Sequence, residues 1–312
     1  MANKPSGMAG FDAYYSSLWG ERWESLRRSL LEPEIQVLRW NRWVLSELDL
    51  LPADDFLKGC ARRPSDFAGP GRTHSGLLDC YVMDPASVIA ARCLPVKDGD
   101  LVLDLCAAPG GKTLILAENL VQSGELVANE LSPERRGRLQ KVIQNYIPRE
   151  ARERIWVRGQ DGSRWGLKQP NHYDAVLIDA PCSGERHLLE NPTELDSWSP
   201  KRGESLAHRQ YALLCSAFMA TAPGGYFLYS TCSINTVENE AVVRKFVKKK
   251  SGFQIQTPLG LNLAAAGSDL TTPAGSDHTT SLGPEQREFG QIFLPDQCGF
   301  GPLYFCLFQK KA

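Results

Sequence analysis

From residue 99 to 250 short apolar runs take turns with longer amphipathic stretches, the signature of successive strand and helix units. The apolar runs predict strands at 101–105, Glu125–Asn129, 155–157, Tyr173–Asp179 and 226–230. The run ending at Asp179 is almost continuously apolar, as expected of a strand covered on both faces. Between them the pattern predicts helices at 112–120, Pro133–Tyr146, 205–221 and 237–249. Ser132 is a good N-cap with Pro133 at the first helical position, and Lys248, Lys249 and Lys250 suit the negative end of the last helix dipole. Strands joined by helices require right-handed crossovers, hence a mostly parallel α/β sheet with helices on both faces.

Outside this repeat the pattern changes. Residues 1–10 read as disordered, and 11–48 as helical, with Leu18, Trp19, Trp23, Leu26, Leu30, then Val37, Trp40, Val44 and Leu48 at three-to-four spacing and a break near Pro33. The prolines and glycines of 52–80 predict irregular chain with a helical turn near Asp54, and Pro85 opens a helix to Cys93. Residues 258–288 are rich in Gly, Thr, Ser and Pro and predict a mobile loop; 288–294 and 303–308 then read as a closing, antiparallel pair of strands.

The 312 residues suffice for a core without disulfides, and nine scattered cysteines with no CxxC pair fit a reduced compartment and no metal site. No apolar run reaches the length of a membrane span, and the start resembles neither a signal peptide nor an arginine-rich transit segment. Globally the charge is nearly balanced, 35 basic against 36 acidic residues, so the whole chain does not declare a nucleic-acid binder. Residues 131–170 are locally basic, with Arg135, Arg136 and Arg138 among ten Lys or Arg; this is either a phosphate-facing surface or an ordinary solvated helix and loop.

Asp104 ends the first strand, where open α/β sheets place ligands, and Gly110 and Gly111 permit a tight turn and close ligand approach before the next helix. The run from Asp104 to Thr113 matches neither GxGxxG nor GxxxxGK[ST], so Lys112-Thr113 is not a nucleoside-triphosphate loop. Glu130, at the end of the second strand, is placed to accept from a ribose diol, and Asp161, after the third, from an adenine amino group. This set fits an adenosine without pyrophosphate, as in S-adenosylmethionine; a dinucleotide is the alternative, and the plain readings are a strand-end acid and an Asp161-Gly162 turn.

Cys182 and Cys232 each follow a predicted strand, in Asp179-Ala180-Pro181-Cys182-Ser183-Gly184 and Tyr229-Ser230-Thr231-Cys232-Ser233, and a doubly wound sheet tends to set those strands side by side. Free cysteines are usually small buried hydrophobes, the reading for Cys93, Cys215 and Cys306, while Cys106 would line the cofactor pocket. A thiolate added to carbon 6 of cytosine makes carbon 5 nucleophilic toward a sulfonium methyl group, and an acid at N3, a role open to Asp179, eases the addition. The second thiol then has a task in elimination. His187 and His208 are further proton-handling or phosphate-contacting candidates, each more ordinary as a surface histidine. The residues alone leave open which cysteine attacks.

Asp104 to Thr113, Asp179 to Gly184 and Thr231-Cys232-Ser233 together resemble the signature motifs of the Sun (Fmu) family of RNA cytosine-5 methyltransferases, a likeness spanning roughly 77–312. The resemblance implies a Rossmann-like, seven-stranded class I methyltransferase sheet with a helical N-terminal extension, divided into a mainly helical RNA-contacting region, 1–95, and a catalytic domain, 96–312. It implies S-adenosylmethionine held by Cys106, Ala107, Ala108, Pro109, Gly110, Gly111 and Lys112, by Glu130 with Arg135, by Asp161 with Gly162, and by Asp179. It also implies Cys232 as nucleophile, Cys182 in product release, Asp179 at cytosine N3 and Lys112 near the target base.

Phe11 to Pro33 and Gly299 to Gln309 look most like the short animal mitochondrial members, which act on small-subunit ribosomal RNA or on a transfer RNA. That likeness implies a monomeric catalytic subunit in the mitochondrial matrix, with RNA as substrate and a helical-repeat protein of the mitochondrial termination-factor family as a partner; a bacterial origin would instead imply the cytoplasm. The rival readings are an inactive methyltransferase fold serving as a ribosome-assembly scaffold, and a methyltransferase of small molecules or proteins.

Overall fold

The computed structural model describes residues 6–47, 57, 59–120, 122–258 and 283–312. Helices α1 (Gly7–Trp19) and α2 (Trp23–Leu31) bury Phe11, Tyr15, Trp23, Leu26 and Leu30, the stripe that the spacing predicts. Residues 7–10, expected to be disordered, are the first turn of α1. The expected helix does not resume after Pro33. Val37–Trp40 is strand β1, antiparallel to both β2 (Cys60–Arg62) and β3 (Cys80–Met83), and a 3-10 turn, Arg42–Glu47, follows it. Val37, Leu38 and Arg39 are all buried, so the strand shows no polar alternation and its apolar residues mimic helical spacing. Of its partners, β2 lies in the stretch read as irregular and β3 starts at that stretch's last residue; Leu48 and the turn expected near Asp54 fall outside the described residues.

Helix α3 (Pro85–Cys93) is capped by Asp84, which accepts from Ser87 N at 2.8 Å. The repeat then runs β4 (Leu101–Asp104), α4 (Gly111–Ala117), β5 (Glu125–Asn129), α5 (Pro133–Tyr146), α6 (Arg149–Arg152), β6 (Ile155–Arg158), α7 (Trp165–Lys168) and β7 (Tyr173–Asp179). Two short helices, α8 (Glu185–Glu190) and α9 (Pro192–Asp196), lead to α10 (Pro200–Ala220), which starts earlier than expected because Pro200 can occupy its first turn. Next come β8 (Thr221–Thr231), α11 (Glu240–Lys249), β9 (Phe253–Gln256), the hairpin β10 (Glu285–Gln286) and β11 (Gln291–Phe293), α12 (Pro295–Cys298) and β12 (Leu303–Lys310). Most of the loop expected at 258–288 lies outside the described residues.

The large sheet is ordered β10-β11-β12-β8-β7-β4-β5-β6, with β9 also on β12. Five strands, β6-β5-β4-β7-β8, are parallel, as the repeat requires, and β12 joins β8 antiparallel. The outer edge of β12 is shared: β11 pairs with Leu303 to Phe305, and β9 with Leu307 to Lys310. The expected seven strands are thus present, and the β10-β11 hairpin brings the sheet to nine strands among the described residues. Alternate side chains divide between two cores. Val102, Leu126, Leu177 and Leu228 pack with α3, α4 and α5, while Leu103, Val176, Ile178 and Phe227 pack with α10, α11 and the N-terminal helices. The N-terminal sheet is tied to the layer of α3, α4 and α5 by the buried ion pair of Arg39 with Glu118, just beyond α4.

Candidate active site

All the candidate groups sit at the carboxyl ends of the parallel strands. Asp104, at the end of β4, is buried; Thr113 Oγ1 donates to its Oδ2 at 2.7 Å, and Oδ1 has no partner. Burial pushes this carboxyl up to about 7, against the pull of the Thr113 hydrogen bond. The turn that follows is held to β5 by Ala107 N, which donates to Asn129 O at 2.8 Å. Its glycines are required. Gly110 has φ +120°, and a Cβ there would lie 2.9 Å from Val142 Cγ1; one on Gly111 would lie 2.8 Å from Tyr81 Cε1.

Two hollows flank the turn, and Cys106 borders both. One is bordered by Glu130, Arg135, Gly162, Pro181, Arg209 and Leu213. Glu130 Oε1 accepts from Ser132 N at 2.9 Å, while buried Oε2 makes no hydrogen bond and lies 3.4 Å from Arg135 Nη1. Arg135 Nη2 also donates to Ala108 O at 2.7 Å, so one guanidinium spans the glycine turn and the strand-end acid. Asp161 caps the turn before α7, accepting from Ser163 Oγ at 2.8 Å and Ser163 N at 3.0 Å, and these bonds hold its carboxyl below the ordinary value. The second hollow is bordered by Ala107 to Lys112 and by Asp179, and by Tyr81, Met83 and Ser87 from β3 and α3. Buried carboxylate oxygens without a hydrogen bond at Asp104 and Glu130, on either side of the glycine turn, fit a ligand carrying a cationic end and a diol.

The thiols arrive as the sheet order requires. β7 and β8 are adjacent and parallel, with Asp179 opposite Ser230, so the loops that leave them run side by side. Cys182 Sγ lies 2.7 Å from Cys232 Sγ. Cys232 is exposed and Cys182 half-buried. The contact with Cys232, then burial, then the charges of Cys232, Glu238 and Glu185 push the Cys182 thiol well up. Asp179 stands between the thiols and the glycine turn. Its Oδ1 accepts from Ser230 Oγ at 2.9 Å and its Oδ2 from Lys112 Nζ at 2.8 Å, and Lys112 reaches Ser87 Oγ at 3.2 Å. Burial would lower the Lys112 ammonium, but the Asp179 charge and hydrogen bond, with Cys232 and Asp84, outweigh it and hold Lys112 above its ordinary value.

Asp104, Cys106, Lys112 and Asp179 line one hollow, and the two thiols lie side by side just past the ends of the strands that carry Asp179 and Ser230. His187 instead contacts Glu194 and Asn191, and His208 the Glu204 carbonyl; both are exposed. Cys93 and Cys306 are buried, and Cys215 is half-buried against the second core. Sequence reasoning missed Ser230, although pairing β7 with β8 in register would have placed it opposite Asp179. It also missed Tyr81, Met83 and Ser87, which reach the hollow through a sheet that the hydrophobic pattern conceals.

Residues 91–293 match the family model for the 16S rRNA methyltransferase RsmB/F. The 5-cytosine rRNA methyltransferase NSUN4 of Mus musculus is 34% identical over 96% of this chain and 87% of its own. The mitochondrial tRNA (cytosine(34)-C(5))-methyltransferase of Danio rerio is 34% identical over 79% of this chain and 74% of its own. Among solved structures, NSun6 from Pyrococcus horikoshii with SFG superposes with a TM-score of 0.70 at 19% identity, covering 96% of this chain and 97% of that one, which establishes the shared fold. The ordered motifs, the strand order and these matches agree: the chain belongs to the RsmB/F, or Sun, family of S-adenosylmethionine-dependent RNA (cytosine-5)-methyltransferases.

Proposed function

We propose that this enzyme methylates a cytosine of small-subunit ribosomal RNA, with transfer RNA as the second choice, and that Cys232 attacks while Cys182 lets the product go. The observation that carries the division of labour is the unequal thiol pair at the ends of β7 and β8. The exposed Cys232 is open to a base, and the more enclosed Cys182 lies against it.

The Cys232 thiolate adds to carbon 6, and the electron pair displaced from the ring double bond makes carbon 5 nucleophilic. Asp179 meets the N3 edge of the base, and Lys112 and Ser230 keep its two oxygens in place. S-adenosylmethionine supplies the electrophilic methyl group. Asp104 Oδ1 and Glu130 Oε2, the two unsatisfied oxygens, would hold its cationic end and its ribose diol, with Arg135 and Asp161 completing that side. After transfer the carbon 5 proton leaves, the ring double bond re-forms and Cys232 is expelled; Cys182 assists this departure.

The target base must be unstacked, which favours a loop or bulge. Region 1–95 supplies part of the RNA contact, a reading supported by Tyr81 and Met83 of β3 beside the glycine turn. The relatives named as mitochondrial tRNA methyltransferases support the mitochondrial matrix as the site of action, and the near-neutral charge favours a monomeric subunit with a helical-repeat protein as RNA-binding partner. The test is to incubate the protein with methyl-labelled cofactor and total RNA. Label is expected in 5-methylcytosine of small-subunit rRNA; label only in polypeptide or free metabolites would contradict the proposal.

A further inference from the structure

Two buried carboxylates behind the thiols do nothing in the scheme above. Glu185 lies three residues after Cys182, and Glu238 six after Cys232; neither is exposed to solvent. Their hydrogen bonds cross over. Glu185, from the loop of Cys182, accepts from Ser233 Oγ at 2.8 Å and Ile234 N at 3.1 Å, the two residues following Cys232. Glu238, from the loop of Cys232, accepts from Ser183 N at 2.9 Å and also from Ser183 Oγ, on the residue following Cys182. Each acid thus grips the chain next to the other acid's cysteine. Gln210 of α10 tightens the grip, its Nε2 donating to Glu238 Oε2 at 3.0 Å and to Pro181 O at 2.9 Å.

The N-terminal extension braces the same point. Tyr15 OH donates to Glu185 Oε1 at 2.6 Å, and Tyr14 OH to Asn235 Oδ1 at 3.2 Å. Tyr15 is itself fixed, stacked on Trp23 at 5.2 Å between ring centroids. These donors are all neutral, and burying two carboxylates on neutral donors is costly where apolar side chains would fill the space without penalty. Such a reciprocal arrangement suits the fixing of one distance, that between two loops carrying groups whose separation matters.

We propose that this crossed carboxylate clasp, braced by Tyr15, sets the Cys182 thiol relative to Cys232, making Glu185, Glu238 and Tyr15 positioning residues for expulsion of the enzyme thiol from the methylated base. The proposal rests on the roles assigned to the two cysteines above. It makes the N-terminal helix part of the catalytic apparatus, acting through the clasp and without touching substrate.

The test uses the whole chain carrying Glu238→Gln, Glu185→Gln or Tyr15→Phe, each nearly isosteric. Single-turnover methyl transfer is expected to stay close to wild type, with steady-state turnover falling about 10-fold, because a thiol displaced by a fraction of an ångström loses its reaction geometry. The share of RNA trapped as a denaturation-stable adduct, per active enzyme, should rise in step. A substrate-free readout accompanies it: iodoacetamide labelling mapped by mass spectrometry, in which wild type reacts at Cys232 and the variants gain reaction at Cys182. Folded variants with unchanged partition and labelling overturn the clasp; so does a loss of active fraction alone, which is what a merely structural role gives. Should a glutamine variant fail to fold, Tyr15→Phe, which removes a single hydroxyl, carries the same readouts. Wild type that transfers no methyl group to RNA would sink the proposed function and leave the labelling comparison standing; wild type that does so while the variants match it sinks only the clasp.

Discussion

Lys112→Met removes one ammonium and keeps the length of the side chain, so it isolates the contact between the glycine turn and Asp179, the residue proposed to meet cytosine N3. The ammonium lies 2.8 Å from Asp179 Oδ2 and 3.2 Å from Ser87 Oγ, with the Lys112 side chain 12% exposed and that of Asp179 31%. A hydrogen bond between charged groups contributes about 1.5–3 kcal/mol. Solvent reaches Asp179 and screens the pair, which brings the contribution down to about 1–2 kcal/mol, or roughly 5–30-fold in rate. The loss is expected in kcat, because the pair steers Asp179 at the reacting base; KM for RNA should stay within about twofold if uniform binding is untouched. Single-turnover transfer of a labelled methyl group, with circular dichroism to confirm the fold, measures this. A folded variant with kcat within twofold of wild type would refute the reasoning, and a rise in KM alone would make Lys112 an RNA-binding residue.

Three further outcomes follow from the geometry. Asp104 sits at about 7 in the free protein because it is buried, so a cationic ligand that favours its ionised form must displace a proton. S-adenosylmethionine affinity should therefore strengthen as pH rises from 6 to 7 and level off above, with proton release seen by calorimetry in buffers of different ionisation enthalpy; a flat profile argues against Asp104 as the contact. Arg39→Met leaves Glu118 buried without its partner and should cost about 3–5 kcal/mol in urea unfolding, while Arg39→Met with Glu118→Leu should recover most of it. Glu130→Gln keeps the acceptor from Ser132 but weakens the ribose site, so KM for S-adenosylmethionine should rise about 10-fold with little change in the RNA KM, measured by varying each substrate in turn.

The parallel sheet was legible because its local signals agree with its tertiary structure. Ser132 and Pro133 start α5 where the pattern places it, and the apolar run of β7 is buried on both faces as expected. β1 was hidden for the opposite reason. Its pairing with β2 and β3 is non-local, and burial on both sides removes the alternation that separates a strand from a helix. β9, exposed at the edge of β12, has too little apolar character to stand out. Within the site, spacing along one sheet edge was enough to gather Asp104, Lys112, Asp179 and both thiols. Glu185 and Glu238 were invisible, since a buried acid satisfied by serines and a tyrosine reads, residue by residue, as part of a polar loop. Nor do the sequence neighbours of the cysteines reveal that one is exposed and the other enclosed.

The assignment of roles to the two cysteines is tested most directly by incubating Cys232→Ala and Cys182→Ala proteins with S-adenosylmethionine and substrate RNA and resolving them on a denaturing gel. Cys232→Ala should give neither methyl transfer nor adduct, and Cys182→Ala should accumulate a covalent RNA-protein species whose cytosine already carries the methyl group. Adduct from Cys232→Ala with none from Cys182→Ala would contradict the assignment and make Cys182 the attacking thiol.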